Sequence, residues 1–131
     1  MVRRLVAHPN EGVCLMRRIL VLDDEPLVAM MVEDWLTELG FVTVGPANSV
    51  ASALRLADEQ KIDAAILDVS LGGENCYQVA DLLKQRKIPF AFATGRGAED
   101  VDRRFASVTV MTKPYDFETV KGLLDRLLTV L

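Results

Sequence analysis

Acidic side chains follow two apolar runs of this sequence. The first run, residues 19–22, leads directly into three acids at 23–25, and the second run, residues 64–67, is followed by Asp68. Short apolar runs that end abruptly are typical of strands buried in a sheet. Carboxylates set side by side at such strand ends repel one another unless a cation lies among them. The sequence therefore predicts an acidic pocket that holds a metal ion.

Two further apolar runs end in side chains that can bind an anion. Residues 90–93 are followed by Thr94, and residues 108–112 are followed by Lys113. In an open parallel sheet, ligands bind outside the carboxyl ends of the strands. We therefore expect the carboxylates, one hydroxyl and one ammonium group to meet in a single crevice.

This set of groups fits phosphoryl transfer to a carboxylate. Asp23 and Asp24 can hold one Mg²⁺, a cation that prefers oxygen ligands. Asp68 would complete the metal site, and its carboxylate can attack phosphorus to form an aspartyl phosphate. The metal and the Lys113 ammonium would neutralise charge on the transferred group, and Thr94 would donate a hydrogen bond to it.

Alternating strand and helix patterns must position these groups. Apolar spacing, caps and turn residues predict five helices. The first covers residues 26–39, the second begins after Ser49, the third ends before Pro89, the fourth is a weak helix at residues 97–105, and the fifth begins after Asp116. A short strand is predicted at residues 41–44 and a loop at residues 70–75. The fold class is therefore predicted to be α/β, a doubly wound five-stranded parallel sheet with five helices.

Composition limits the class of protein. The chain has 131 residues and a net charge of −4, and its arginine pairs are too small for a nucleic-acid surface. No apolar run approaches the roughly 18 residues of a membrane span. Two cysteines without CxxC spacing favour a reducing compartment, so we expect a cytoplasmic protein. We expect residues 1–17 to be a mobile N-terminal extension and residues 18–131 to form one domain.

The order of these groups resembles the receiver domain of two-component response regulators. An acidic pair follows the first strand, Asp68 the third, Thr94 the fourth and Lys113-Pro114 the fifth. The resemblance covers about residues 18–131 and implies the flavodoxin-like receiver fold. It also implies that Thr94 is the switch hydroxyl, that Lys113 contacts the phosphoryl group, and that the Lys113–Pro114 peptide is cis.

The resemblance further implies a phosphoacceptor and a metal shell. Asp68 would be the phosphoacceptor and a metal ligand, Asp24 a direct Mg²⁺ ligand, and Asp23 a ligand through water. The backbone carbonyl of Ser70 would complete the shell.

One position departs from the usual receiver pattern. Receivers usually carry Tyr or Phe three residues before the lysine, and this chain has Val110 there. Residues 89–95 are similar to the Phe-Ala-Thr-Gly signature of the alphaproteobacterial FAT GUY receivers, which also lack that aromatic residue. Arg96 departs from this signature as well. Members of that subgroup are stand-alone receivers linked to sensor kinases and general stress signalling.

The resemblance thus implies a single-domain response regulator that catalyses only its own phosphorylation and dephosphorylation. A histidine kinase or histidine phosphotransfer protein would be the phosphoryl donor. The signal would leave by protein contact through the fourth helix, fifth strand and fifth helix, or by onward phosphotransfer. A phosphate sink or a phosphorylation-independent docking module is the alternative.

Plainer interpretations compete with this one. Taken singly, the acids could be solvated turn residues and Lys113 a surface ion-pair partner, but independent coincidences at four strand ends are not expected. For Glu25, capping of the following helix is favoured, and tuning of the pocket is the alternative. A flavodoxin-like flavin carrier needs a hydroxyl-rich phosphate loop where this chain is acidic. A haloacid-dehalogenase-type phosphatase needs a second acid where Ser70 stands.

Overall fold

The computed structural model describes residues 16–129, so most of the expected N-terminal extension lies outside the described residues. Five parallel strands form one sheet in the order β2-β1-β3-β4-β5. They are β1 (Arg18–Leu22), β2 (Val42–Ala47), β3 (Ala64–Asp68), β4 (Phe90–Thr94) and β5 (Val110–Thr112). This arrangement confirms the predicted doubly wound sheet.

Helices cover both faces of the sheet. They are α1 (Pro26–Glu38), α2 (Val50–Glu59), α3 (Tyr77–Gln85) and α4 (Phe117–Thr129). In β1, Leu20 and Leu22 belong to the apolar cluster that includes residues of α2 and α3. Ile19 and Val21 belong to a second cluster that includes residues of α1 and α4. The alternation of side chains along each strand thus supplies both layers of the core.

The prediction of five helices is wrong for residues 16–129, where four α-helices are present. The expected helix at 97–105 is replaced by two 3₁₀ turns, Ala98–Asp100 and Arg103–Phe105. Val101 between them has extended backbone angles. The carboxylate of Asp102 accepts a hydrogen bond from the backbone N–H of Arg104 at 3.0 Å. A short polar side chain that bonds to nearby backbone in this way competes with a continuous helix.

Local signals at the helix ends are confirmed. The Ser49 side chain accepts a hydrogen bond from the backbone N–H of Ser52, which caps α2. Asp116 accepts a hydrogen bond from the N–H of Thr119 at 2.9 Å at the start of α4. Gly40 follows α1 with a φ of +89°, a conformation that favours glycine. These signals mark the end of α1 and the starts of α2 and α4.

Strand β2 runs further than the sequence predicted and helps to place the acidic pocket. It continues through the cis Gly45–Pro46 peptide to Ala47, whose carbonyl accepts a hydrogen bond from the N–H of Asp23 at 3.0 Å. Gly45 has a φ of +97°, and a Cβ there would lie 2.6 Å from the backbone nitrogen of Ala47. Only glycine fits this turn without displacing the backbone.

The predicted loop after β3 contains a small hairpin. Ser70–Leu71 pairs antiparallel with Glu74–Asn75. Among the residues the structure describes, no helix is long and apolar enough to cross a bilayer.

Candidate functional site

Strand register brings the predicted site residues to one edge of the sheet. Asp68 pairs with Ala93, the residue before Thr94, and Thr94 pairs with Thr112, the residue before Lys113. Asp68 and Thr94 are 5% and 2% exposed. Such burial is unusual for polar side chains and requires hydrogen-bonded or charged partners. The predicted convergence of strand ends is therefore present.

The Lys113 ammonium lies at the centre of the acidic groups. Its Nζ lies 3.1 Å from Asp23 Oδ2, 3.1 Å from Asp68 Oδ2 and 2.6 Å from Glu25 Oε1. Burial lowers the pKa of Lys113, but hydrogen bonding to Glu25 and the charges of Asp23 and Asp68 outweigh it, so the pKa is raised. Lys113 therefore carries a fixed positive charge in the pocket.

Glu25 does not have the role expected from its position. It occupies the N-cap position of α1, but its side chain makes no capping hydrogen bond. It contacts Lys113 instead, across 88 residues of sequence. The expectation that Glu25 caps the helix is thus wrong, because the ammonium offers the carboxylate a charged donor. Its only sequence signal was its place beside the acidic pair.

Three carboxylates are close enough to share a cation. One oxygen from each of Asp23, Glu25 and Asp68 lies within 4.8 Å of the other two. Carboxylate oxygens are the ligands that Mg²⁺ prefers, so the donor set fits this ion. Asp24 is exposed and is not part of this group. A Cβ at Gly72 would lie 3.5 Å from Asp24 Oδ2, which places the Asp24 carboxylate beside the loop after β3.

The Asp68 carboxyl group holds its proton more tightly than an ordinary aspartate. Burial, and then the nearby charge of Asp23, raise its pKa to about 6, although Lys113 opposes the shift. One Asp68 oxygen contacts Lys113, and the other accepts a hydrogen bond from the N–H of Ser70 at 3.3 Å. Above pH 7 the group is mainly ionised, so it can act as a nucleophile.

Thr94 has two partners in the loop that follows it. Its hydroxyl donates a hydrogen bond to Asp100 Oδ2 at 2.8 Å and accepts one from the N–H of Arg96 at 3.1 Å. The contact between Thr94 and Asp100 could not be predicted from the sequence, because it depends on the path of the 3₁₀ turn.

Comparison with known proteins identifies the family of this fold and pocket. A family model described as the response regulator receiver domain matches residues 19–125. The chain belongs to the response regulator receiver family. It is 32% identical over 120 residues to the heme response regulator HssR of Staphylococcus aureus strain Newman, a match covering 88% of this chain and 52% of HssR. The chain spans about half the length of the curated relatives it matches.

Solved receiver structures agree with this assignment. The solution structure of SdrG from Sphingomonas melonis Fr1 is 46% identical, with a TM-score of 0.77, and the match covers 86% of this chain and 97% of that one. TrrA from Thermotoga maritima, solved in complex with Mg²⁺-BeF, is 25% identical with a TM-score of 0.75. That match covers 86% of this chain and 99% of TrrA.

Three structural details bear on the receiver assignment. The Lys113–Pro114 peptide is cis, as the resemblance implied. Val110, which stands where most receivers carry an aromatic residue, is half-buried in β5 and packs against the apolar cluster that includes residues of α2 and α3. Ser70 is exposed, and its backbone N–H donates a hydrogen bond to Asp68.

An apolar surface adjoins the receiver pocket. A cavity of about 380 Å³ is lined by Glu25, Val28, Met31, Trp35, Lys113, Pro114 and Tyr115. On α1, Leu27, Met30 and Met31 are 75%, 58% and 46% exposed. Met31 therefore presents a large apolar side chain to solvent beside Lys113, and Leu27 and Met30 add exposed apolar surface on the same helix.

Proposed function

We propose that this receiver accepts a phosphoryl group on Asp68 in a reaction that requires Mg²⁺. The observation that carries the proposal is the environment of Asp68. It is a buried carboxylate in contact with a fixed ammonium, and other carboxylates lie close enough to share a cation with it. In the family, receivers interact with histidine kinases or phosphotransfer proteins, so a phosphohistidine is the proposed donor.

The chain's own residues would carry the transfer as follows. An oxygen of Asp68 attacks the phosphorus, the P–N bond to the donor histidine breaks, and its electron pair returns to the imidazole. Lys113, held by its carboxylate contacts, places its positive charge close to the transferred oxygens. The Thr94 hydroxyl donates a hydrogen bond to one of them. Mg²⁺ would supply charge neutralisation when it is bound.

The metal shell that we propose consists of Asp23, Asp24, Asp68 and the backbone carbonyl of Ser70. Asp24 is exposed and its carboxylate lies beside the loop after β3, outside the group of Asp23, Glu25 and Asp68. Glu25, in contrast, is paired with Lys113. Mg²⁺ titrations of Asp24→Asn and Glu25→Gln test whether Asp24 or Glu25 is the metal ligand. The substitution of the ligand should weaken Mg²⁺ binding more than tenfold.

Two surfaces are proposed to contact partners. The phosphoryl donor must approach Asp68, so the exposed apolar residues of α1 and the adjoining cavity are suited to its docking. Downstream targets are proposed to bind the face formed by the 3₁₀ turns, β5 and α4. The signal would leave through that face or by onward phosphotransfer. We also propose that the chain belongs to the FAT GUY subgroup and shares its stress-signalling role, because residues 89–95 are similar to the Phe-Ala-Thr-Gly signature.

Labelling with a small phosphodonor tests the acceptor. We expect Mg²⁺-dependent labelling of the wild type by acetyl phosphate, and its loss in Asp68→Asn. Asp81→Asn, an exposed acid on α3, serves as the matched control and should label normally. Labelling that survives in Asp68→Asn would place the acceptor elsewhere. Absence of labelling and of Mg²⁺ binding in the wild type would favour the phosphorylation-independent docking module.

Mixing the labelled receiver with histidine phosphotransfer proteins separates the possible fates of the phosphoryl group. Rapid transfer of label to such a protein supports a relay. Return of label to a kinase alone supports a phosphate sink. Retention of label together with a change in target binding supports signalling by contact.

A further inference from the structure

The buried hydroxyl of Thr94 is already engaged in the unphosphorylated receiver. It donates to Asp100 Oδ2 at 2.8 Å, and the carboxylate belongs to the 3₁₀ turn Ala98–Asp100. A hydrogen bond from a hydroxyl to a charged carboxylate is stronger than one between neutral groups. The contact therefore holds Thr94 and the turn together.

A threonine hydroxyl has one proton to donate. It cannot donate to Asp100 and to a phosphoryl oxygen on Asp68 at the same time. The Asp100 carboxylate and the phosphoryl group are both anionic acceptors, so they compete for the same donor. A hydrogen bond from Thr94 to the phosphoryl group therefore requires that the Thr94–Asp100 hydrogen bond breaks.

The same turn is tied to α3 through Tyr77. The Tyr77 hydroxyl accepts a hydrogen bond from the N–H of Asp102 at 2.8 Å and donates one to the carbonyl of Asp100 at 3.4 Å. The ring packs against Phe105, with centroids 5.2 Å apart, and against Phe92. Release of Asp100 would thus act on a segment whose other anchors include Tyr77, its aromatic neighbours and the ion pair between Arg104 and Asp81 on α3.

We propose that Asp100 is a positioning residue for Thr94 and acts as a latch. In the resting receiver its carboxylate withholds the Thr94 hydroxyl from the phosphoryl site, and phosphorylation releases the segment at 97–105. Release of this segment would carry the signal from the pocket to the surface. This chain has Val110 where receivers usually carry the aromatic residue. The inference rests on the proposed phosphorylation of Asp68, and its test has one arm that does not.

The first arm measures amide hydrogen exchange without any ligand. Thr94→Val keeps the side-chain shape but removes the hydroxyl, and Asp100→Ala removes its acceptor. Because both break the same bond, we expect each to accelerate exchange of the Asp100, Val101 and Asp102 amides about tenfold, with little further increase in the double variant. Unchanged exchange in Thr94→Val would overturn the latch.

The second arm measures the affinity for beryllofluoride, a phosphoryl mimic, in the presence of Mg²⁺. We expect Asp100→Ala to bind about tenfold more tightly than the wild type, because the Thr94 hydroxyl is free in the resting state. Asp100→Asn keeps the shape with a weaker, uncharged acceptor and should bind about threefold more tightly. If Asp100→Ala does not fold, this variant decides the result.

The Thr94→Val background separates the latch from simple charge repulsion. There, Asp100→Ala should change the affinity less than twofold, whereas removal of a repelling charge would act with or without the hydroxyl. Asp102→Ala removes a charge from the same segment without touching Thr94 and should leave the affinity unchanged.

Equal or weaker binding by both Asp100 variants, or equal tightening in both backgrounds, would overturn the proposal. A wild type that binds no beryllofluoride would instead refute the proposed function, and the exchange arm would still decide the latch.

Discussion

Replacing Asp68 by asparagine should stabilise the metal-free receiver while abolishing its proposed chemistry. The pKa of Asp68 is raised from 3.8 to about 6, chiefly by burial and then by the charge of Asp23. The folded protein therefore binds this proton more tightly than the unfolded chain does. Ionisation of Asp68 costs stability as the pH rises from about 4 through 6, and the full cost is present above that range.

The size of the effect follows from the two pKa values. At about 1.36 kcal/mol per pH unit, ionisation of Asp68 costs about 3 kcal/mol at pH 7.5 and about 1 kcal/mol at pH 4.5. Asparagine does not ionise, but part of the gain is lost because its NH2 group must face one of two donors, the N–H of Ser70 or the ammonium of Lys113. That penalty is the same at both pH values. The stabilisation by Asp68→Asn should therefore be larger at pH 7.5 than at pH 4.5 by about 2 kcal/mol.

Urea unfolding in the presence of EDTA, followed by circular dichroism at the two pH values, measures this difference. Asp81→Asn is the control. Its side chain is half exposed, and the hydrogen bond to Arg104 lowers the pKa of Asp81, so the substitution should give no gain at pH 7.5. A gain from Asp68→Asn that is equal at both pH values would assign the effect to packing. Destabilisation at pH 7.5 would refute the reasoning.

Three further substitutions test the arrangement of the pocket and the fold. Lys113→Ala should raise the pKa of Asp68 above about 6, measured by carboxyl NMR titration without metal, because the nearest positive charge is lost; an unchanged value would mean that the contact is not maintained in solution. Ser49→Ala should lower the free energy of unfolding by about 1 kcal/mol through loss of the α2 cap, whereas Ser49→Gly should cost only a few tenths. Gly45→Ala should cost about 2 kcal/mol or more, since a Cβ there meets backbone at 2.6 Å, and a neutral result in the same urea assay would contradict the described turn.

Much of the fold was predictable because its signals are local. Strands β1, β3 and β4 are short apolar runs, and three helix boundaries rest on a cap or glycine within a few residues, as at Ser49, Asp116 and Gly40. The segment at 97–105 was not predictable in this way. Val101 and Phe105 have helical spacing, but the Asp102 side chain bonds to the backbone and splits the segment into two turns. Packing decides between the helical spacing of the apolar residues and the side-chain hydrogen bond of Asp102. The spacing of apolar residues in the sequence does not indicate how the segment packs.

The sequence by itself determined which chemical groups stand at the strand ends, because apolar runs stop at particular acids, at Thr94 and at Lys113. It also determined that these ends share one edge, because parallel strands joined by helical crossovers must point the same way. Only the tertiary structure decided which groups touch. Glu25 reaches Lys113 across 88 residues, and Thr94 is held by Asp100, because side-chain direction beyond a strand end depends on how distant segments pack together.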